Sequence, residues 1–274
     1  MAWTGRNDET VAVLLPLLAC AAPDGARCST DGGVRCAYES STIWTKAWPR
    51  RVLHQVPLGA PPDEGWPTVL LFQGLSAPAE TFWVAPETEA WGWTHQALVT
   101  AGLLEAGFAV ITPVARGLGL GCWDTNLWPL SQSWERAPDH HLMLELFGAI
   151  DAGELGPLDP DRLYAAGISS GGYMSSRVAV AYPGRFQAVA VHSGGYATCA
   201  GSLCALPEEL PQDHPPTLFL HGGQDHVVPI DTMRPYALAL EERGVEVQVI
   251  EDGELGHAWL DEAPGALLSW FVGE

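Results

Sequence analysis

From Thr68 to its C-terminus, this sequence alternates short apolar runs with stretches of helical periodicity, and that alternation admits few folds. Runs at Thr68–Phe72, Phe108–Pro113, Leu163–Ala166, Ala188–His192, Thr217–His221 and Val245–Ile250 read as strands. Helices are expected near Trp93–Ala106, His141–Ala152, Gly172–Tyr182, Met233–Arg243 and Ala266–Phe271. Strands that are apolar throughout, rather than at every second residue, are buried on both faces. The expected class is therefore α/β, a mostly parallel doubly wound sheet with helices on both faces. In such sheets a ligand site lies beyond the carboxyl ends of the strands. The 274 residues suit one such domain. We expect residues 23–274 to form it, with Pro57–Pro67 a turn-rich loop rather than a linker.

The strongest motif lies at one of those strand ends. Leu163-Tyr164-Ala165-Ala166 runs into Gly167-Ile168-Ser169-Ser170-Gly171-Gly172, and a helical pattern follows. This is G-x-S-x-G in the strand–turn–helix setting that makes it a nucleophile elbow. The turn is sharp, so small residues must flank Ser169, and the helix N-terminus beneath it favours a developing anion. Serine needs a base to take its proton. Downstream, the strand at Leu218–His221 leads into Gly222-Gly223-Gln224-Asp225, and Gly256-His257 follows the last strand. The order Ser169, Asp225, His257 is that of a catalytic triad in which the acid fixes the tautomer of the histidine. Asp231 and Asp252 are poorer placed as the acid. His221 and His192 end strands and read as bracing or packed residues, and His140 and His141 read as surface residues.

An oxyanion needs two backbone donors. Ser170, directly after the nucleophile, supplies one. The other is expected from Phe72-Gln73-Gly74-Leu75-Ser76-Ala77, the loop after the first buried strand, with Leu75 as donor and Gly74 and Ser76 beside the substrate. Gln73 reads as a brace for that loop. Twelve tryptophans are many for this length. Those in loops after strands, among them Trp83, Trp91, Trp93, Trp123, Trp128 and Trp134, are expected on the catalytic side. With Trp259, two residues from His257, they would line an apolar cleft; we take Trp83, Trp123 and Trp259 as substrate-binding.

The 33 acidic and 13 basic residues give a formal charge of −20, which repels nucleic acid and anionic membranes and suits a soluble protein acting on neutral or apolar substrate. Cysteine spacing gives no zinc signature, so no metal or cofactor is expected. Cys28 with Cys36, and Cys199 with Cys204, read as short disulfides of an oxidising compartment. Val11–Ala22 is too short to span a bilayer. It resembles a signal-peptide core, although Asp8 and Glu9 stand where positive charge is usual. Leu17-Leu18-Ala19-Cys20 loosely resembles a lipoprotein cleavage box, and an ordinary first helix is the alternative.

Together, the Gly167–Gly172 segment, the Asp225 loop and the Gly256-His257 loop resemble the extracellular polyhydroxyalkanoate depolymerase and esterase group of the α/β hydrolases, especially the depolymerases of medium-chain-length polymers. Gly74-Leu75-Ser76-Ala77 also resembles the oxyanion loop of cutinases and polyester hydrolases. The resemblance covers roughly Thr68 to the C-terminus. It implies an α/β-hydrolase fold, secretion (extracellular, with periplasmic or lipid-anchored variants), a hydrophobic ester or polyester substrate, and release of hydroxyacid monomers and oligomers. A carboxylesterase acting on small or polysaccharide-linked esters, such as a feruloyl or acetyl esterase, or another polyester hydrolase is the alternative. We expect a monomer.

Overall fold

A computed structural model of the chain describes residues 25–88, 91–116, 121–196 and 210–273. Val11–Ala22, Cys20, Cys199 and Cys204 lie outside the described residues. The expected disulfide between Cys28 and Cys36 is formed. It joins β1 (Cys28–Ser29) to β2 (Val34–Cys36), which pair antiparallel in a small sheet completed by β6 (Val84–Ala85).

The main sheet follows from the six apolar runs. They form β5 (Trp66–Phe72), β7 (Ala109–Pro113), β8 (Leu158–Ile168), β9 (Ala188–His192), β10 (Thr217–Gly222) and β11 (Val247–Asp252). All six run parallel, in the spatial order β11-β10-β9-β8-β5-β7. Two strands not expected from the sequence, β3 (Glu39–Trp44) and β4 (Pro49–Gln55), extend the sheet as an antiparallel hairpin outside β7. Because Val52 pairs with Pro113, the start of β4 lies at the carboxyl end of β7. The hairpin tip therefore projects from the same sheet edge as the motifs. Trp44 and Trp48 are exposed there, and the Arg116 guanidinium lies 5.1 Å from the Trp48 ring centre.

The helices are α1 (Trp93–Glu105), α2 (Pro138–Asp151), α3 (Ser170–Ala181), α4 (Arg234–Glu241) and α5 (Ala263–Val272). Residues alternate between the sheet's faces, as strand geometry requires. Val69, Leu71, Val110 and Ala166 pack with Leu103 of α1 and Leu267 of α5. Leu70, Phe72, Ile111 and Ala165 pack with Leu146 of α2 and Met174 of α3. Phe219 and Val191 pack with Tyr236 and Leu240 of α4. This is the doubly wound α/β-hydrolase arrangement that the sequence led us to expect.

Candidate active site

β8 ends in Ile168, and the chain turns at once into α3 through Ser169, whose φ of 57° and ψ of −121° lie in a region that side chains other than glycine rarely adopt. The turn closes only because its neighbours are small: a Cβ on Gly171 would stand 1.9 Å from the Phe72 carbonyl oxygen. Ser76 and Ser193 also have positive φ, at 58° and 45°. All three serines follow the carboxyl ends of main-sheet strands, namely β5, β8 and β9. Backbone strain gathered in this way is typical of functional sites.

The acid and histidine loops are held by their backbones. Gly223 N–H donates to Asp252 O at 2.7 Å, and Gln224 N–H to Leu255 O at 2.9 Å. Gly222 permits the crossing, since a Cβ there would lie 2.3 Å from Gly256 O. Within this zipper, Asp225 Oδ1 accepts the amides of Val227 (2.9 Å) and Val228 (2.8 Å), and Oδ2 lies 2.7 Å from His257 Nδ1. Burial pushes the Asp225 carboxyl up, but the bonds from His257 and the two amides outweigh it, and the group sits below its ordinary value. It is thus a buried carboxylate that binds the δ side of the ring and leaves Nε2 for other chemistry. Asp231 instead pairs with Arg234, and Asp252 caps its own loop through Glu254 and Leu255. His221 donates through Nε2 to Val228 O at 2.8 Å and braces the acid loop. His140 is half-buried rather than at the surface, stacked on Tyr182 with its Nδ1 2.9 Å from the phenol oxygen.

Ser169 and His257 line one cavity of about 340 Å³, together with Gly74, Leu75, Ser76 and Trp259. The β5 loop reaches Ser169 directly: a Cβ on Gly74 would meet the Ser169 Cβ at 3.6 Å. Ser170 opens α3, so helical geometry gives its amide no intrahelical acceptor. Gln73 does brace the loop. Its Nε2 donates to Ala77 O, and its Oε1 accepts from Ala115 N at 3.3 Å.

Trp83 and Trp123 do not line this cavity, which corrects the expectation that they contact substrate. Trp83 is wholly buried and donates through Nε1 to Thr112 Oγ1 at 2.7 Å. Trp123, equally buried, donates through Nε1 to Gln73 O at 2.9 Å and packs edge-on against Phe72. Both indoles fill the core around the loops that follow β5 and β7. Trp134 is buried too, with the Arg177 guanidinium over its ring. Trp259 does line the cavity, as do Trp91 and Trp93. Trp259 is held by Gln96, whose Oε1 accepts its indole N–H at 2.7 Å. Leu75, Trp91 and Val227 form an exposed apolar rim, 55%, 52% and 61% accessible.

Sequence reasoning missed the support behind Ser170. Its hydroxyl donates to Asn126 Oδ1 at 2.7 Å and accepts from Trp123 N at 3.1 Å. The single turn Asp124–Asn126 that carries this partner is fastened from behind. Asp124 N–H donates to Asp139 Oδ2 at 2.7 Å, Asp139 N–H returns a bond to Asp124 Oδ2 at 2.8 Å, and buried Arg50 pairs with Asp139 Oδ1 at 2.7 Å. Burial, reinforced by the neighbouring Asp139 charge, pushes the Asp124 carboxyl up to about 7. Among the described residues, no group of three or more His, Cys, Asp or Glu side chains is arranged to hold a metal ion, and no helix is long and apolar enough to cross a membrane.

The sequence profile of the dienelactone hydrolase family matches residues 84–267. A poly(3-hydroxyoctanoate) depolymerase of Pseudomonas fluorescens is 43% identical over 239 residues, 87% of this chain and 85% of that protein. NocK of Nocardia uniformis subsp. tsuyamanensis, assigned as an esterase, is 32% identical over 65% of this chain and 46% of its own length. Among solved structures, the fluorophosphonate-binding serine hydrolase FphF of Staphylococcus aureus superposes with a TM-score of 0.60 at 15% identity, over 87% of this chain and 99% of that one. The lidless serine hydrolase XC6422 of Xanthomonas campestris gives 0.55 at 17% identity, over 86% and 94%.

Proposed function

Starting from the fact that this chain belongs to the dienelactone hydrolase family, we propose that it cleaves the ester bonds of a medium-chain-length polyhydroxyalkanoate through an acyl-enzyme formed on Ser169. That it is a hydrolase acting on ester bonds follows from the family and from its relatives. The reading of the residues is carried by the 2.7 Å bond between Asp225 and His257, a histidine that lines the same cleft as the strained Ser169. Ser169 Oγ attacks the ester carbonyl as His257 Nε2 takes its proton, and Asp225 stabilises the resulting imidazolium. The amides of Ser170 and Leu75 bind the oxyanion, a donor of this kind being worth about 3 kcal/mol. Collapse expels the alcohol end of the chain, protonated by His257. Water, deprotonated by the same ring, then releases the hydroxyacid.

The substrate class rests on the depolymerase relative and on the apolar rim of Leu75, Trp91 and Val227. Gly74, Ser76 and Trp259 border the acyl chain in this reading. The disulfide supports a secreted protein, because such bonds persist in oxidising compartments. The test is a chain-length series of nitrophenyl esters run beside emulsions of short- and medium-chain polyesters. Clearing of the medium-chain emulsion is expected. Turnover of soluble short esters without clearing of any emulsion would instead identify a small-ester carboxylesterase.

A further inference from the structure

His257 hangs between two anchors. On its N-terminal side, Leu255 O is fixed by the Gln224 amide. On its C-terminal side, Trp259 N–H donates to Trp91 O at 3.1 Å, and the fully buried Leu260 N–H donates to a side chain, the Nε2 of His192, at 3.0 Å. His192 is itself 1% exposed and ends β9. Its backbone oxygen accepts the amide of Ser169 at 2.9 Å. One residue therefore holds the nucleophile by its carbonyl and the histidine loop by its ring.

The bonding fixes the ring's chemistry. Nε2 receives a backbone N–H, so it carries the lone pair. The proton is then on Nδ1, where Ser193 Oγ accepts it at 3.1 Å. Ser193 is the residue with φ 45°, so the ring also secures the strained turn that leaves β9. The ring packs 4.7 Å from the Trp259 ring, which Gln96 holds through its indole N–H. Burial holds the imidazole well below its ordinary value, helped by His221 and His257 and opposed by Asp225, so the ring is neutral.

We propose that His192 is a positioning residue for ester hydrolysis, a neutral Nδ1–H imidazole that clasps the His257 loop to the nucleophile elbow through the Leu260 amide. The proposal rests on the reading of Ser169 and His257 as the reacting pair. It is tested by three measurements on the whole enzyme. ¹⁵N spectra of imidazole-labelled wild-type protein are expected to show His192 as the Nδ1–H tautomer; the Nε2–H tautomer would overturn the clasp without any substitution. His192→Leu removes the acceptor. Displacement of a catalytic group by about 1 Å costs on the order of 10²-fold in rate, so kcat should fall about 10–100-fold with KM changed less than about threefold. His192→Gln restores an acceptor at a similar reach from the backbone and should recover most of that loss. Wild-type kcat in His192→Leu, or His192→Gln no faster than His192→Leu when both melt like wild type, defeats the proposal. Ser169→Ala serves as the control: inactivity there beside an active His192→Leu condemns the clasp alone, whereas activity there condemns the reading of the nucleophile.

Discussion

The sheet edge that carries Ser169, Asp225 and His257 and the rim around their cleft are built by opposite rules. At the edge, backbone is bonded to backbone, and two of its glycines leave no room for a Cβ: Gly171 lies against Phe72 O, Gly222 against Gly256 O. Every side-chain oxygen of Asp225 is occupied. On the rim, Leu75, Trp91 and Val227 offer apolar surface to solvent. The position of Ser169, Asp225 and His257 is therefore set by packing that tolerates little change. The rim around them is made of exposed side chains that can be exchanged without disturbing that packing.

Substitutions can break this contrast at either end. Ser169→Ala should lower kcat/KM on a chromogenic ester by about 10⁴-fold or more while the melting curve stays close to wild type. Substantial residual turnover would move the chemistry elsewhere. Asp225→Asn keeps a similar shape but favours the wrong tautomer of His257, and kcat should fall about 10³–10⁴-fold. Gly171→Ala attacks the edge through its backbone. With the new methyl 1.9 Å from Phe72 O, it should cost about 4 kcal/mol or more in denaturant unfolding; a near-neutral result would mean the elbow is slack. Trp91→Ser tests the rim: KM for a medium-chain ester should rise about 3–10-fold with kcat within about twofold, the pattern of lost uniform binding.

The smallest effect probes the fastening behind Ser170. Asp124 titrates near 7 in the folded chain, against 3.8 for the ordinary group. The folded state thus binds this proton more tightly, and stability falls as pH rises between those two values. Asp124→Asn removes that loss and keeps an oxygen for the Asp139 amide. Its Tm should rise by about 2–4 °C at pH 8 and by less at pH 5.5, as scanning calorimetry would report. An equal shift at both pH values would exclude titration as the cause.

Much of this architecture is legible from residue order. Four of the six parallel strands are nearly continuous apolar runs, β8 is apolar only in its second half and β11 alternates as an exposed edge strand, and the elbow and its two partners stand at their carboxyl ends. β3 and β4 were not legible, because Arg50 and Arg51 interrupt the apolar pattern and β3 lies at the sheet edge, exposed along much of its length. Nor could the tryptophans be sorted. An indole in the core and one in a cleft look alike in sequence; Trp83 is wholly buried with its N–H on Thr112, 29 residues away, whereas Trp91 stands half exposed at the cleft. The bonds of Ser170 to Asn126 and of His192 to Leu260 are equally hidden, since they join segments 44 and 68 residues apart.

The β3–β4 hairpin has a use that its distance from the chemistry makes safe. Its tip, between Trp44 and Pro49, projects from the same sheet edge as the cleft, beyond the strands that lead to Ser169, Asp225 and His257. Exposed loop tips are where whole domains can be inserted with least damage to the host. A carbohydrate- or plastic-adhering module grafted there would hang alongside the entrance to the cleft, so the scaffold carries an attachment point for retargeting the enzyme to a new solid.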